Sequence, residues 1–295
     1  MTTRPPTKTT PDELLKFLCD GLDVLGLSEM RRVLDETLAE PAKDDSRLDW
    51  LWRIVEPQVR RRLEGRAERR VRDARLPVRK TFEAFNFAFQ PKLDKDLVME
   101  LATLRFVAQG KNILLAGMSG TGKSHIALAL GLIACAANRR VLYTTSAEML
   151  SRLNMSLADD TLVQALKPYT RAELLIIDEV GLEQVERDAA RRSGLMQKVL
   201  LPRHNEQRST IVTSNIPWES WGDYLGDHLG ATALIDRLLH RSHVIVINGP
   251  SYRDWAHKQD VANAKSSAKS MPESATPAPN PLARATSAGA HRRGK

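Results

Sequence analysis

An apolar run, Asn112-Ile113-Leu114-Leu115-Ala116, leads directly into Gly117-Met118-Ser119-Gly120-Thr121-Gly122-Lys123-Ser124 and then into a second apolar stretch, Ile126 to Ala137, rich in Ala and Leu. The first run reads as a buried strand and the last as a core helix, so the octet between them must turn the chain from one to the other. Its glycines let backbone amides point inward, and the first helical turn adds unpaired N–H groups and the positive end of its dipole. The octet fits G-x-x-x-x-G-K-[ST], a cradle for phosphate. Lys123 reaches the outer phosphates and the Ser124 hydroxyl is placed to ligate Mg²⁺. The chain is therefore expected to bind a nucleoside triphosphate.

Further segments read as strands at Arg140 to Thr145, Leu174 to Asp178, Ser209 to Ser214 and His243 to Asn248, with helical patterns between them. Strands alternating with helices imply an α/β fold with a parallel five-stranded sheet, its ligands at the carboxyl-end rim. At that rim the third strand ends in Asp178-Glu179 after four apolar residues. This is a Walker B pattern, with Asp178 expected to hold Mg²⁺ and Glu179 to polarise the attacking water. Taken alone, the pair also fits a buried strand capped by solvated acids. The fourth strand ends in Thr213-Ser214-Asn215, where the amide is placed to meet the γ-phosphate or the water, or to serve as a turn residue before Pro217. Arg237 and Arg241 stand one helical turn apart before the last strand. Either fits an arginine finger offered to a neighbouring subunit, and either fits a surface ion pair.

The 295 residues carry a net charge of +8, which calls for an acidic partner. Between Arg53 and Lys80 eleven basic residues stand against four acidic ones, and Arg60, Arg61 and Arg62 form its densest part. Nucleic-acid contact and a solvated helix face both fit this cluster. Two cysteines, Cys19 and Cys135, argue against a structural disulfide. No apolar run is long enough for a membrane span, and residues 1 to 11 lack a signal-peptide block, so a cytoplasmic protein without membrane contact is expected.

The expected organisation is a disordered leader over 1–11, a helical domain over 12–57 broken near Gly26 and Pro41, and a basic and Phe-rich linker over 58–92. The nucleotide module follows over 93–258, then a disordered basic tail over 259–295. Four of the six phenylalanines, Phe82, Phe85, Phe87 and Phe89, fall within residues 81–91.

The order phosphate loop, inserted strand, Asp178-Glu179, Thr213-Ser214-Asn215, Asp236-Arg237-Leu238 resembles an AAA+ ATPase of the DnaA/DnaC clade. Several stretches are similar to the IstB family, the ATP-binding helpers of insertion sequences. These are Gly120 to His125, Leu174 to Glu179, Ser209 to Asn215, Trp221-Gly222, and Asp236 to His240 running through to Ser251-Tyr252-Arg253. The resemblance implies that Gly117 to Ser124 and Asp178 bind ATP, and that Ser124 and Asp178 bind Mg²⁺. It makes Glu179 and Asn215 catalytic and puts Arg237, ahead of Arg241, in the finger position. It also places Phe82, Phe85 or Phe87 beside adenine, although core packing suits most of them. A full helical lid has no room after Asn248, which leaves Arg253 as a weak substitute for the lid's sensor arginine. In Ser146 to Arg171, where this clade inserts DNA-contacting helices, only Arg152, Lys167 and Arg171 are basic.

The function so implied is an ATP-dependent helper that multimerises on double-stranded DNA and recruits or stimulates the transposase of the same insertion sequence. A DnaC-like helicase loader on single-stranded DNA is the alternative. A protein-remodelling ATPase is disfavoured because aromatic pore loops are not evident.

Overall fold

The computed structural model describes residues 10–39, 47–182 and 189–259. The leader up to residue 9, the expected break at Pro41 and the tail from 260 onward lie outside them.

Three helices lead the chain: α1 (Pro11–Val24), α2 (Ser28–Ala39) and α3 (Arg47–Asp73). Helix α1 starts where Thr10 and Glu13 form a reciprocal capping box with Pro11 in the first turn, a combination that satisfies two otherwise orphaned amides. Gly26, at φ +65°, makes the turn to α2. Their shared core is small: Cys19, Leu34 and Ile54 are buried, with Leu15, Leu22 and Met30 against them.

Helix α3 does not stop at the expected boundary after Pro57 but runs through it. A proline inside a helix loses one i→i−4 hydrogen bond. Packing on both sides offsets that loss, since Ile54 is buried and the buried Gln58 accepts the Glu29 amide at 3.0 Å. The far end of α3 reaches the sheet, where the Ala74 carbonyl accepts the Tyr143 N–H at 2.8 Å. Ala74 and Phe82 are buried with the sheet core, so part of the segment expected as a linker belongs to the packed module.

The module continues with α4 (Lys95–Leu101), α5 (Arg105–Ala108), β1 (Asn112–Gly117), α6 (Lys123–Ala136), β2 (Val141–Thr145), α7 (Ser146–Ala158) and α8 (Leu162–Arg171). Then come β3 (Leu174–Val180), α9 (Ala189–Asn205), β4 (Ser209–Ser214), α10 (Trp221–Leu225), α11 (His228–Leu239) and β5 (Ser242–Ile247). All strands are parallel in the order β2-β3-β4-β1-β5. Side chains alternate between two faces. Ile113, Leu115, Leu174, Ile176 and Ile211 enter the core under α6, while Leu114, Leu175, Ile177 and Val212 enter the other, against α7 to α11. Burial on both faces is why these strands read as unbroken apolar runs.

Buried Arg203 joins α8, α9 and β4, donating to the carbonyls of Tyr169 (2.7 Å), Ala172 (2.8 Å) and Ser209 and to Thr210 Oγ1 (3.0 Å). Burial pulls its pKa down to about 9, so it remains a cation at neutral pH at the carboxyl end of α8.

The described residues up to Tyr252 form one compact unit, and Arg253 begins a second. After β5 the described chain adds one helical stretch over 252–259. Among the described residues no helix is long and apolar enough to cross a membrane. Cys19 and Cys135 are both buried free thiols.

Candidate functional site

The strand order brings the functional segments together. Strand β4 lies between β1, which ends in the phosphate loop, and β3, which ends in the acid pair, so the three segments emerge at neighbouring positions about 5 Å apart along the carboxyl rim.

In the loop, Gly120 (φ +79°) and Gly122 (φ +105°) adopt left-handed conformations. A Cβ on Gly122 would lie 2.6 Å from the Phe85 ring, so glycine is needed there for conformation and for space. Lys123 is 5% exposed. Its Nζ donates to the carbonyls of Gly117 and Met118, both at 2.8 Å. Thr121 Oγ1 bonds the Met118 carbonyl at 2.9 Å, while the Met118 and Ser119 side chains face solvent.

At the end of β3 the pairing with β4 slips. Ile177 is level with Val212 and Val180 with Ser214, so Asp178 and Glu179 together oppose the single residue Thr213. This is a β-bulge, a device that re-aims side chains at a sheet end. Glu179 takes φ +63°, costly for a non-glycine residue. The Thr213 hydroxyl fills the gap, accepting the Glu179 N–H at 2.9 Å and donating to Asp178 Oδ1. Asp178 is 2% exposed. It also accepts Ser124 Oγ on Oδ1 and Tyr143 OH on Oδ2, each at 2.9 Å. Burial and then the Asp178 charge hold the Tyr143 phenol far above its ordinary pKa, so it stays a donor. Asn215 is half-buried, and its N–H bonds the Val180 carbonyl at 3.1 Å. The preceding Ser214 is fixed by the buried Trp221, whose Nε1 donates to its hydroxyl at 3.3 Å.

The Phe-rich segment walls the loop. Phe82 is core. Phe85 abuts Gly122, stands edge-on to His125 at 5.2 Å and touches Phe87 at 4.7 Å. His125 Nε2 donates to the Thr81 carbonyl at 2.8 Å, which fixes the tautomer because a carbonyl only accepts. Burial lowers its pKa. On the other side the Tyr252 N–H bonds the Gly120 carbonyl at 2.9 Å, and the Phe89 ring meets Tyr252 edge-on at 5.1 Å.

Arg237 and Arg241 lie at the opposite rim. Arg237, in the last turn of α11, lines a small pocket with Asn112 and Thr210 from the starts of β1 and β4. Its Nη1 donates to the Ala233 carbonyl at 3.0 Å and its side chain is exposed. Arg241 donates to the Gln109 carbonyl at 3.1 Å, just before β1. Strands of this length separate the rims by about 17 Å.

Arg152 is exposed on α7, and Lys167 and Arg171 are exposed on α8. On α3, Arg60 is paired with Glu56 at 2.5 Å. Arg61 reaches across to α2, meeting Glu29 at 2.8 Å and Ser28 at 2.5 Å. Arg62 is exposed.

Sequence reasoning did not find Tyr143 or Thr213 as members of this site. A hydroxyl inside the apolar run Thr210 to Thr213 was the available signal for Thr213; a tyrosine in a buried strand gives none for Tyr143.

A phosphate loop after β1, an acid pair after β3 and a polar amide after β4, on a sheet ordered β2-β3-β4-β1-β5, define a P-loop ATP-binding module of the AAA+ class. The family described as IstB-like ATP binding protein matches residues 21–260, and the chain belongs to that family. It is 39% identical over 220 residues to an insertion sequence IS21 putative ATP-binding protein of Pseudomonas aeruginosa, across 74% of this chain and 82% of that one. With an insertion sequence IS232 putative ATP-binding protein of Bacillus thuringiensis subsp. berliner it shares 31% over 241 residues, across 81% and 95%. Solved structures similar to it include the DnaC helicase loader, at 22% identity and TM-score 0.43 over 52% of this chain and 92% of that one. AMPPCP-bound DnaA from Aquifex aeolicus is another, at 20% identity and TM-score 0.47 over 65% and 57%.

Proposed function

We propose that this chain is an ATP-dependent transposition helper. ATP joins its protomers, the multimer forms on duplex DNA, and the assembly recruits or stimulates the transposase of the same insertion sequence. The observation that carries the reading is the division of the candidate residues between two rims. Lys123, Asp178, Glu179 and Asn215 share one end of the sheet, and Arg237 sits at the other, about 17 Å away, too far to serve its own site. A neighbouring protomer that sets its amino rim against this carboxyl rim completes the pocket.

In that pocket Lys123 exchanges loop carbonyls for phosphate oxygens, and the loop amides take the remaining charge. The Ser124 hydroxyl and Asp178, 2.9 Å apart, are the hard oxygen donors that suit Mg²⁺ alongside phosphate and water. Among the described residues no three His, Cys, Asp or Glu side chains converge into a closed cage. When bound, the ion would neutralise charge on the phosphates. Glu179, aimed by the bulge, polarises the attacking water, and Asn215 orients it. Arg237 of the neighbour stabilises the charge that develops in the transition state. Because the finger finds its partner only at the interface, ATP binding and assembly favour each other, and hydrolysis resets both.

For DNA, Arg60 and Arg61 are engaged within the chain, which shifts the weight to Arg62. With Arg66 and Arg69 it lies at i, i+4, i+7, one exposed face about 10 Å long, opposite Val71, which packs on the sheet core. Asp73 closes this stripe at its end. Insertion-sequence relatives support the transposition context.

The test is analytical ultracentrifugation with a slowly hydrolysed ATP analogue and either duplex or single-stranded DNA. A nucleotide-dependent multimer retained on duplex is expected. A chain that stays monomeric under every condition overturns the reading, and preference for the single strand favours helicase loading instead.

A further inference from the structure

We propose that Tyr143 is a positioning residue for Asp178, holding the second oxygen of the carboxylate so that the first can serve the metal ion. The inference rests on the ATP-hydrolysing reading of the site and goes beyond it.

An ionised carboxylate offers about four lone-pair directions. At Asp178, Oδ1 accepts from Ser124 and Thr213 while Oδ2 accepts from Tyr143. Of the three donors, Ser124 is the one that belongs to the nucleotide side, since it follows the loop lysine at the start of α6. Thr213 and Tyr143 come from the strands flanking β3 and together clamp the carboxylate within the sheet. For a group 2% exposed, each lost donor leaves charge without water to replace it.

Tyr143 is itself held at its backbone. Its N–H donates to the Ala74 carbonyl beyond the end of α3 at 2.8 Å, and it stands level with Ile176 in the pairing of β2 with β3. Thr145, two residues on, is the one level with Asp178, so the ring reaches forward along the strand to place its hydroxyl at the rim. A phenylalanine would fill the same space among the core side chains but donate nothing. The duller role, a core aromatic whose hydroxyl happens to be satisfied, predicts a loss of stability indifferent to metal. A positioning role predicts a metal-specific loss.

The experiment measures the affinity of the full chain for a fluorescent ATP analogue, with saturating Mg²⁺ and with EDTA, in the wild type, Tyr143→Phe, Thr213→Ser and Thr213→Val. In Tyr143→Phe the EDTA affinity should stay within about twofold, while the gain on adding Mg²⁺ should shrink about tenfold, as for other residues that orient metal ligands. Thr213→Ser, which keeps a hydroxyl, should retain the gain and Thr213→Val should lose it. Thermal unfolding in EDTA should show a modest loss in Tyr143→Phe, the cost of the donor that buried Asp178 loses, and adding Mg²⁺ with nucleotide should raise its midpoint by less than it raises that of wild type. A Tyr143→Phe variant that gains as much from Mg²⁺ as wild type overturns the proposal and leaves the ATP reading standing. A wild type that binds no nucleotide in either buffer overturns both.

Discussion

At the carboxyl rim of the sheet an ammonium, two carboxylates and the hydroxyls of Ser124, Tyr143 and Thr213 converge, held by a bulge and a buried tryptophan. The amino rim holds Arg237 and Arg241, each hydrogen-bonded to a backbone carbonyl, with the Arg237 side chain exposed. The first rim gathers its groups inside one chain, while the second holds the arginine proposed to act across an interface. On that proposal a monomer can bind ATP, whereas the transition-state chemistry needs two.

The effect with the widest reach should come from breaking the first rim at its anion anchor, since binding, assembly and turnover all depend on it. Lys123→Ala removes the buried ammonium, and ATP affinity measured by calorimetry should fall at least about a hundredfold, taking ATP-dependent assembly with it; tight binding by this variant would deny the loop its role. Breaking the second rim should leave binding to the monomer intact. Arg237→Ala should lose the gain in ATP affinity that comes with assembly and about a thousandfold in steady-state turnover. Arg241→Ala, whose side chain ties down the chain before β1, should lose far less. A smaller loss belongs to Glu179→Gln, which should bind ATP, turn over about a hundredfold more slowly and persist as a multimer on DNA; unaltered turnover would dismiss Glu179 as the water activator.

Much of the first rim was legible in the sequence because phosphate chemistry needs a fixed spacing of glycines, lysine and serine. Strands β1, β3 and β4 were legible because two-sided burial writes each as an apolar run, β5 because it keeps valines on its exposed face as well, and the ends of all five strands fell within two residues of expectation. Strand order was not readable, since helices of similar length separate successive strands whichever neighbours they pair with. Nor was the bulge, which depends on Thr213 answering Asp178 and Glu179 from 34 residues away. The same limit applied to α3. Its Arg cluster looked uniform, yet Arg61 is committed to Glu29, 32 residues earlier, and the helix passes Pro57 because tertiary packing supports both flanks.

That distinction within α3 gives the smallest effect and a test of DNA contact separate from both rims. Replacing Arg62, Arg66 and Arg69 together with Gln should reduce the slope of log affinity for duplex DNA against log salt by about 2 to 3. Replacing Arg60 and Arg61 should leave that slope nearly unchanged and slightly weaken the contact of α2 with α3, read as a small drop in the unfolding midpoint. Equal slopes for both sets would return the whole cluster to a solvated face.

The division between rims is tested most directly by mixing. Lys123→Ala lacks a working loop but keeps Arg237, and Arg237→Ala keeps the loop but lacks the finger. Neither should hydrolyse ATP alone. Titrating one into the other at constant total protein, with duplex DNA present, should restore turnover to a maximum at intermediate ratios. If the two variants co-assemble and turnover stays at the level of either alone, Arg237 does not act across an interface and the account fails.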